Sequence, residues 1–422
     1  MTMKKQAEQK PGPLTHCQIT GSKDLFEAID LGFQPSAGAL LSKEGLRESE
    51  THYPLRLMIS RASGLGQLDY VVDPKLLFST TEYVYRTGIS EPLRVHLEAL
   101  TDQITETLAL PKRSLCIDVG SNDGTLLTGF RTQGMLVLGI EPTNMAKIAR
   151  KENRIPTLQA FFGEATAKDV AKKHGRADII TFTNVFAHVA DLHGVMRGLV
   201  SLLKKDGAII TESQYLLEVL KRNQFDQIYH EHVRIYSLKS LVKLFSLYGM
   251  EVFDAYHVKT REGSIRVYAG WKGKHAIRPS VKRLLLAEEK AGLFSPAAWA
   301  KFRTQVGKSK ERFLELALKA KKEGKLLVAD SCPTRGVVVM NYFGLAPDLV
   351  PYIAQLPKTE KVGKYMAGTH NPIVSNEILL KDKPEYVLIL AWHFADFIVK
   401  NWRAKGLKSK FIVPLPKFRI IE

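Results

Sequence analysis

The clearest hydrophobic patterning lies in the middle of the chain, where the short apolar runs CIDVG, LVLGIEP, PTLQAFFG, ADIITFTNV and GAIITES recur with helix-patterned stretches between them. Strands alternating with helices predict a mostly parallel sheet covered on both faces, since near-continuous apolar strands need shielding on each side. Ligands of such sheets bind beyond the carboxyl ends of the strands. Asp118, Glu141, Asn184 and Glu212 fall at those ends, and His188 follows in NVFAHVADLH. A histidine at that place serves as well for structural hydrogen bonding as for catalysis.

On either side the pattern changes. From His16 to about Arg86 the chain is turn-rich with short alternating runs, which predicts a small β-rich module closed by Tyr83 and Tyr85, two tyrosines that read first as core aromatics. A helix is expected over Glu91 to Leu108, and a strand pair over MEVFDAYHV and GSIRVYAGW. Lys301 to Lys325 combines Phe302, Phe313, Leu314, Leu316 and Leu318 with many lysines, the mark of an amphipathic helix with a solvated basic face. KLLVADSCPTRGVVVMNYFG, YVLILAW and KFIVPLP then predict a second, smaller α/β unit. Its loop KVGKYMAGTHNPIVS, with Lys364, His370 and Asn371, reads either as a diphosphate holder or as a plain connection.

Composition narrows the function classes. The 422 residues, 45% hydrophobic, are enough for two or three ordinary cores. A formal charge of +18 suits nucleic acid, an anionic membrane face or a phosphate-bearing substrate. Nucleic-acid modules with stacking aromatics are absent, no apolar stretch reaches the length of a membrane span, and MTMKKQAEQKPGP reads as a frayed tail. Cys17, Cys116 and Cys332 are too scattered for a disulfide framework, which points to the cytoplasm.

Leu115 to Thr125, LCIDVGSNDGT, is a strand, a glycine-bearing turn and a helix start. Gly120 and Gly124 let a ligand approach the backbone, and the helix start offers free N–H groups. Glu141, about twenty residues on, stands where an acid accepts ribose hydroxyls. GSNDG is not the dinucleotide fingerprint: a carboxylate at Asp123 repels phosphate yet suits the sulfonium and ammonium of S-adenosylmethionine. The expected cofactor-binding set is Asp118, Gly120, Ser121, Asn122, Asp123, Gly124, Glu141, Pro142, Phe162 and Asn184. Further on, FDQIYHEHVRIYS clusters Tyr229, His230, Glu231 and His232 without an HExxH metal pattern. On a turn, Tyr229 and His232 can converge on one substrate as an acid/base pair while Glu231 aims elsewhere; a polar surface loop is the plainer reading.

These motifs, with QPSAG, YPL, EYVYR, GIEP, GSIRVY, GKYMAGTHNPI and LILAW in order from His16 to the end, resemble the sugar C-methyltransferases, which methylate C-3' of nucleotide-linked deoxyhexoses with S-adenosylmethionine. The resemblance implies an α/β protein of three parts: an N-terminal module (1–87), a class I methyltransferase domain of Rossmann-like fold (88–273) and a C-terminal Rossmann-like domain (274–422). The implied substrate is a dTDP- or GDP-linked 4-keto hexose lying in the cleft between the parts, with no nucleic-acid or membrane partner.

By position the family's active-site residues are Tyr83, His188, Tyr229, Glu231 and His232. The implied chemistry is removal of the C-3' proton by the Tyr229/His232 pair, with Tyr229 preferred as base and His232 as donor to the C-4' oxygen. Glu231 would orient the pair, while Tyr83 and His188 would bind or polarise the sugar. The enolate then takes the methyl group. Two departures stand out. Where the family has two CxxC pairs around zinc, this chain has Cys17, Thr20, Ser60 and Ser63, and hydroxyls are poor zinc ligands, so no metal is expected. The family's HGGS turn reads Arg261, Glu262, Gly263, Ser264, which puts the identity of the sugar in doubt. The alternatives are methylation of oxygen or nitrogen on another small acceptor, or an inactive binding homologue.

Overall fold

The protein is described by a computed structural model covering residues 10–77, 83, 85–189, 191–259, 263–357 and 359–422; the Arg261–Glu262 half of the variant turn lies outside them. At its centre is a seven-stranded sheet of β1 (Leu115–Val119), β2 (Leu136–Ile140), β3 (Thr157–Leu158), β4 (Ala177–Thr183), β5 (Leu203–Gln214), β6 (Met250–Val258) and β7 (Ser264–Trp271), in the order β6-β7-β5-β4-β1-β2-β3. All pairs are parallel except those of β7, which runs antiparallel to β5 and β6.

Period-two alternation divides the apolar residues between two layers. Cys116, Ile179, Ala208 and Ile210 face the helices Glu91–Leu108 and Thr125–Thr132, through Leu97, Leu100, Ile104, Leu126 and Phe130. Ile117, Ile180 and Ile209 face the opposite layer, which includes Leu192, Leu199, Leu241 and Phe245. The polar strand-end residues are thereby left along one edge.

The flanking parts are stitched to this sheet. Leu25–Gln34, Tyr53–Ser60 and Gly66–Leu68 form an antiparallel sheet whose fourth strand, Arg234–Ile235, belongs to the YHEHVRI segment. The last part carries a six-stranded sheet in the order 373–375, 353–355, 327–330, 386–389, 410–413, 419–421, parallel except at the final strand. The connections reverse direction between Leu327–Asp330 and Tyr386–Ile389, a topological switch point of the kind beside which α/β sheets form a crevice at the carboxyl ends of their strands.

The basic helix runs over Pro296–Lys322, with Ser295 as its N-cap and Pro296 in its first turn. It buries Trp299, Phe302, Val306, Phe313, Ala317 and Ala320, but leaves Leu318 57% exposed. A further helix, Pro279–Lys290, was not anticipated from the pattern because Lys282, Arg283, Glu289 and Lys290 dilute its apolar stripe. Among the described residues no helix is long and apolar enough to cross a membrane.

Candidate active site

The turn after β1 is built for close approach. Gly120 has φ +69°, and a Cβ there would lie 2.3 Å from Val185 Cγ2, so only bare backbone fits. Asp118 is buried, and Thr181 Oγ1 donates to its Oδ1 at 2.6 Å. Burial pushes its carboxyl up to about 7, and the neighbouring charge of Glu141 adds to the rise. Glu141 accepts from the backbone N–H groups of Asn122 at 2.8 Å and Thr143 at 2.9 Å, one on each oxygen. Carboxylate oxygens have lone pairs to spare beyond these two bonds. Asn184, at the end of β4 with φ 56°, keeps a buried Oδ1 without a hydrogen-bond partner among the described residues, as does Ser121 Oγ. Phe162 packs edge-on against Phe182, and Pro142 is half-buried beside Glu141.

Asp123 and Asn122 are committed elsewhere. Asp123 Oδ2 accepts from Arg86 Nε at 3.1 Å and Gly88 N at 3.0 Å, while Oδ1 accepts from Thr125 Oγ1 at 2.6 Å. Asn122 accepts from Thr87 N at 2.9 Å and donates to the Tyr85 carbonyl at 2.9 Å, and Asn144 brackets the Tyr83 backbone. Arg86 also pairs with Glu152. Tyr83 and residues 85–88 therefore do not close the N-terminal module; they are laid as a strap over the cradle. The expected electrostatic duty of Asp123 toward a sulfonium gives way to anchoring, because its oxygens are already engaged.

The YHEH segment splits its side chains. Tyr229 and His232 meet, with the phenolic oxygen 2.8 Å from Nε2. His232 Nδ1 lies 2.9 Å from the Gln227 carbonyl. A carbonyl only accepts, so Nδ1 carries the proton and Nε2 accepts from the Tyr229 hydroxyl. Both ring nitrogens are thus engaged, which conflicts with His232 as donor to a substrate oxygen. The orienting group is Gln227, not Glu231. His188 lies beside the pair, its ring centroid 5.0 Å from that of His232. His230 turns to the N-terminal module, near the Pro54 carbonyl, and burial pushes it down to about 4. Glu231 is half-buried and faces the QPSAG loop, where a Cβ on Gly38 would be 3.5 Å from its Oε1; burial pushes its carboxyl up to about 7.

Glu212 is no ligand-facing acid: it is buried and bound by His96 at 2.7 Å and by Arg266 at 2.7 Å. The KYMAGTHNP loop is a clasp. Asn371 donates to the Leu345 and Val350 carbonyls, His370 and Gly368 N bind Glu50, and Tyr365–Met366 pairs with Leu40–Leu41 of the first module. The switch point beyond Asp330 and Ile389 carries no sequence motif that marks it. There Arg335 donates to His393 Nδ1 at 2.8 Å, and Lys361 Nζ lies 2.7 Å from the Cys332 carbonyl. Burial and then the charge of Arg335 push His393 down to about 3, so the histidine stays neutral and the cations are Arg335 and Lys361. Ser331 at φ 70° is the signal that this strand end is unusual.

In the first module Cys17 Sγ lies 3.1 Å from Ser63 Oγ. Burial pushes the Cys17 thiol up, but the hydroxyls of Ser60, Ser63 and Thr20 outweigh it and hold the thiol below its ordinary value. The neighbouring Gln18 carbonyl accepts from His193 Nε2 at 2.8 Å, which clasps this knuckle to the central domain.

Three family models match in sequence along the chain: "Putative zinc binding domain" over residues 17–78, "Methyltransferase domain" over 93–255 and "C-methyltransferase C-terminal domain" over 259–416. The C-methyltransferase NovU of Streptomyces niveus is 32% identical over 97% of this chain and 97% of its own length. The chain belongs to the three-domain C-methyltransferase family. A ubiquinone biosynthesis O-methyltransferase of Escherichia coli is 31% identical over 22% of this chain and 40% of its own. Magnesium protoporphyrin IX methyltransferase from Synechocystis, solved with bound SAH, has a TM-score of 0.34 at 17% identity, covering 42% of this chain and 83% of that one.

This C-methyltransferase is an S-adenosylmethionine-dependent enzyme. Its cradle fits the cofactor: bare backbone at Gly120, buried acids at Asp118 and Glu141, and the unpartnered Asn184 Oδ1 offer acceptors to a cationic, hydroxyl-bearing ligand. The zinc of the first family model does not fit, since the converging positions supply one thiol and three hydroxyls.

Proposed function

We propose that this enzyme methylates C-3' of a nucleotide-linked 4-keto deoxyhexose through an enolate, and that the Tyr229–His232–Gln227 chain carries the first step. A neutral phenol accepts a proton only by passing on its own. As the C-3' proton reaches the Tyr229 oxygen, the phenolic proton moves to His232 Nε2, and the imidazolium keeps its Nδ1–H on the Gln227 carbonyl. The C–H electron pair enters the C-3'–C-4' bond and charge collects on the C-4' oxygen. His188, whose ring lies beside that of His232, polarises that oxygen in place of the engaged His232. His188 and Tyr83 bind the sugar.

S-adenosylmethionine, held at Asp118, Gly120, Glu141 and Asn184, supplies an electrophilic methyl group. With that donor bound, the enolate pair would form the bond from C-3' to the methyl carbon as the methyl–sulfur bond breaks, its electron pair staying on sulfur to leave S-adenosylhomocysteine, and the C-4' ketone would re-form. The chain's main contribution here is positioning, worth orders of magnitude in a bimolecular transfer. Arg335 and Lys361 at the C-terminal crevice offer the cations for the substrate's diphosphate, and Asp226 links that crevice to Tyr229 three residues on. The division 1–87, 88–273 and 274–422 goes with this reading, as does a cytoplasmic setting in which the three buried cysteines stay free.

The test is C-3' hydrogen exchange into deuterated water with dTDP-4-keto-6-deoxyglucose and no methyl donor. Wild type exchanges, and Tyr229→Phe loses about 100-fold or more while keeping its affinity for S-adenosylmethionine. Equal exchange in the variant removes Tyr229 from the base role.

A further inference from the structure

The histidine that receives the Tyr229 proton is held from a different part of the molecule. Phe225–Gln227 is a single 3-10 turn, too short to fix its own position by internal bonds. Phe225 packs against Tyr342 and Phe343 of the C-terminal part, with ring centroids 5.4 and 5.7 Å away. Asp226 is 1% exposed. Its Oδ2 accepts from Trp392 Nε1 at 2.7 Å, and Arg335 Nε lies 3.8 Å from the same oxygen. Trp392 follows the strand Tyr386–Ile389 and Arg335 immediately precedes the helix Gly336–Phe343, so both grips come from the crevice. One residue after Asp226, the Gln227 carbonyl accepts the Nδ1–H of His232.

We infer that the Trp392–Asp226 hydrogen bond fixes the tautomer of His232, which makes Asp226 and Trp392 positioning residues for the Tyr229 base; the catalytic consequence rests on the function proposed above. The apolar grip on Phe225 sets where the turn sits. The polar grip on Asp226 sets its rotation, and with it the direction of the next carbonyl. If that carbonyl swings away, Nδ1 loses its acceptor, the proton is free to reside on Nε2, and an Nε2–H cannot accept from the Tyr229 hydroxyl. The C-terminal part then contributes to the proton transfer without touching the substrate's reacting carbon.

The tautomer is read directly from nitrogen shifts of the full-length protein carrying 15N-histidine, with the His232 signals assigned by their loss in His232→Gln. Wild type shows the Nδ1–H form alone. Trp392→Phe and Asp226→Ala show a mixture of tautomers, and C-3' exchange on dTDP-4-keto-6-deoxyglucose falls by about 10- to 100-fold. Asp226→Asn, which keeps an acceptor for Trp392, restores the single tautomer. A pure Nδ1–H form in both Trp392→Phe and Asp226→Ala overturns the inference. Should Asp226→Ala not fold, Trp392→Phe decides alone, because it keeps most of the packing. If Tyr229→Phe proves fully active, the base assignment fails, while the tautomer result still judges this inference on its own.

Discussion

Asp118 illustrates how position sets the working charge of a side chain. At the end of β1 it is buried, and its carboxyl rises to about 7. It is mostly neutral below that value and charged above it, and only the charged form attracts a sulfonium and an ammonium group. Affinity for S-adenosylmethionine therefore weakens as pH falls from 8 to 6, approaching about tenfold per unit at the acid end. Isothermal titration across that range checks it, and Asp118→Asn flattens the dependence. The place of Asp118 was legible in the sequence because an acid at a strand end follows from the local strand–turn–helix pattern. The duty of Asp123 was not, since its partners Arg86 and Gly88 lie 37 and 35 residues away and approach only after folding.

Among elements, the strap over the cradle is the clearest case of tertiary structure deciding what a local pattern cannot. EYVYRTG has the aromatic content of a strand, yet its described residues are held by three polar side chains, Asn122, Asp123 and Asn144. Asn122→Ala removes bonds to both Thr87 and Tyr85 and costs about 1–3 kcal/mol. A lower melting temperature together with weaker cofactor binding is the expected result; unchanged binding would separate the strap from the cradle. The parallel strands were readable from their apolar runs, and the convergence of Tyr229 with His232 from the turn-like setting of YHEH. The C-terminal crevice escaped notice because SCPTRG matches no standard phosphate loop, and its cations come from separate loops at Arg335 and Lys361.

At the scale of the whole molecule, the first module is held to the rest by strands that cross between the parts. Gly66–Gln67 pairs with Ile235–Arg234, and Leu40–Leu41 pairs with Met366–Tyr365. With the Cys17 hydroxyl cluster inside and the His193 clasp outside, the module has means of support other than a metal. Prolonged dialysis against a chelator is expected to leave both the melting temperature and turnover unchanged, and elemental analysis of the purified chain to find no stoichiometric zinc. A chelator-sensitive melt would show that the hydroxyl cluster is not the support. The charge of +18 suits the nucleotide-linked substrate proposed above.

The most direct measurement of the central claim is product analysis of the full-length enzyme incubated with S-adenosylmethionine and dTDP-4-keto-6-deoxyglucose. A product heavier by one methylene, with the new methyl carbon bonded to C-3' by carbon NMR, is the predicted result. A methyl group found on oxygen or nitrogen instead would contradict the account.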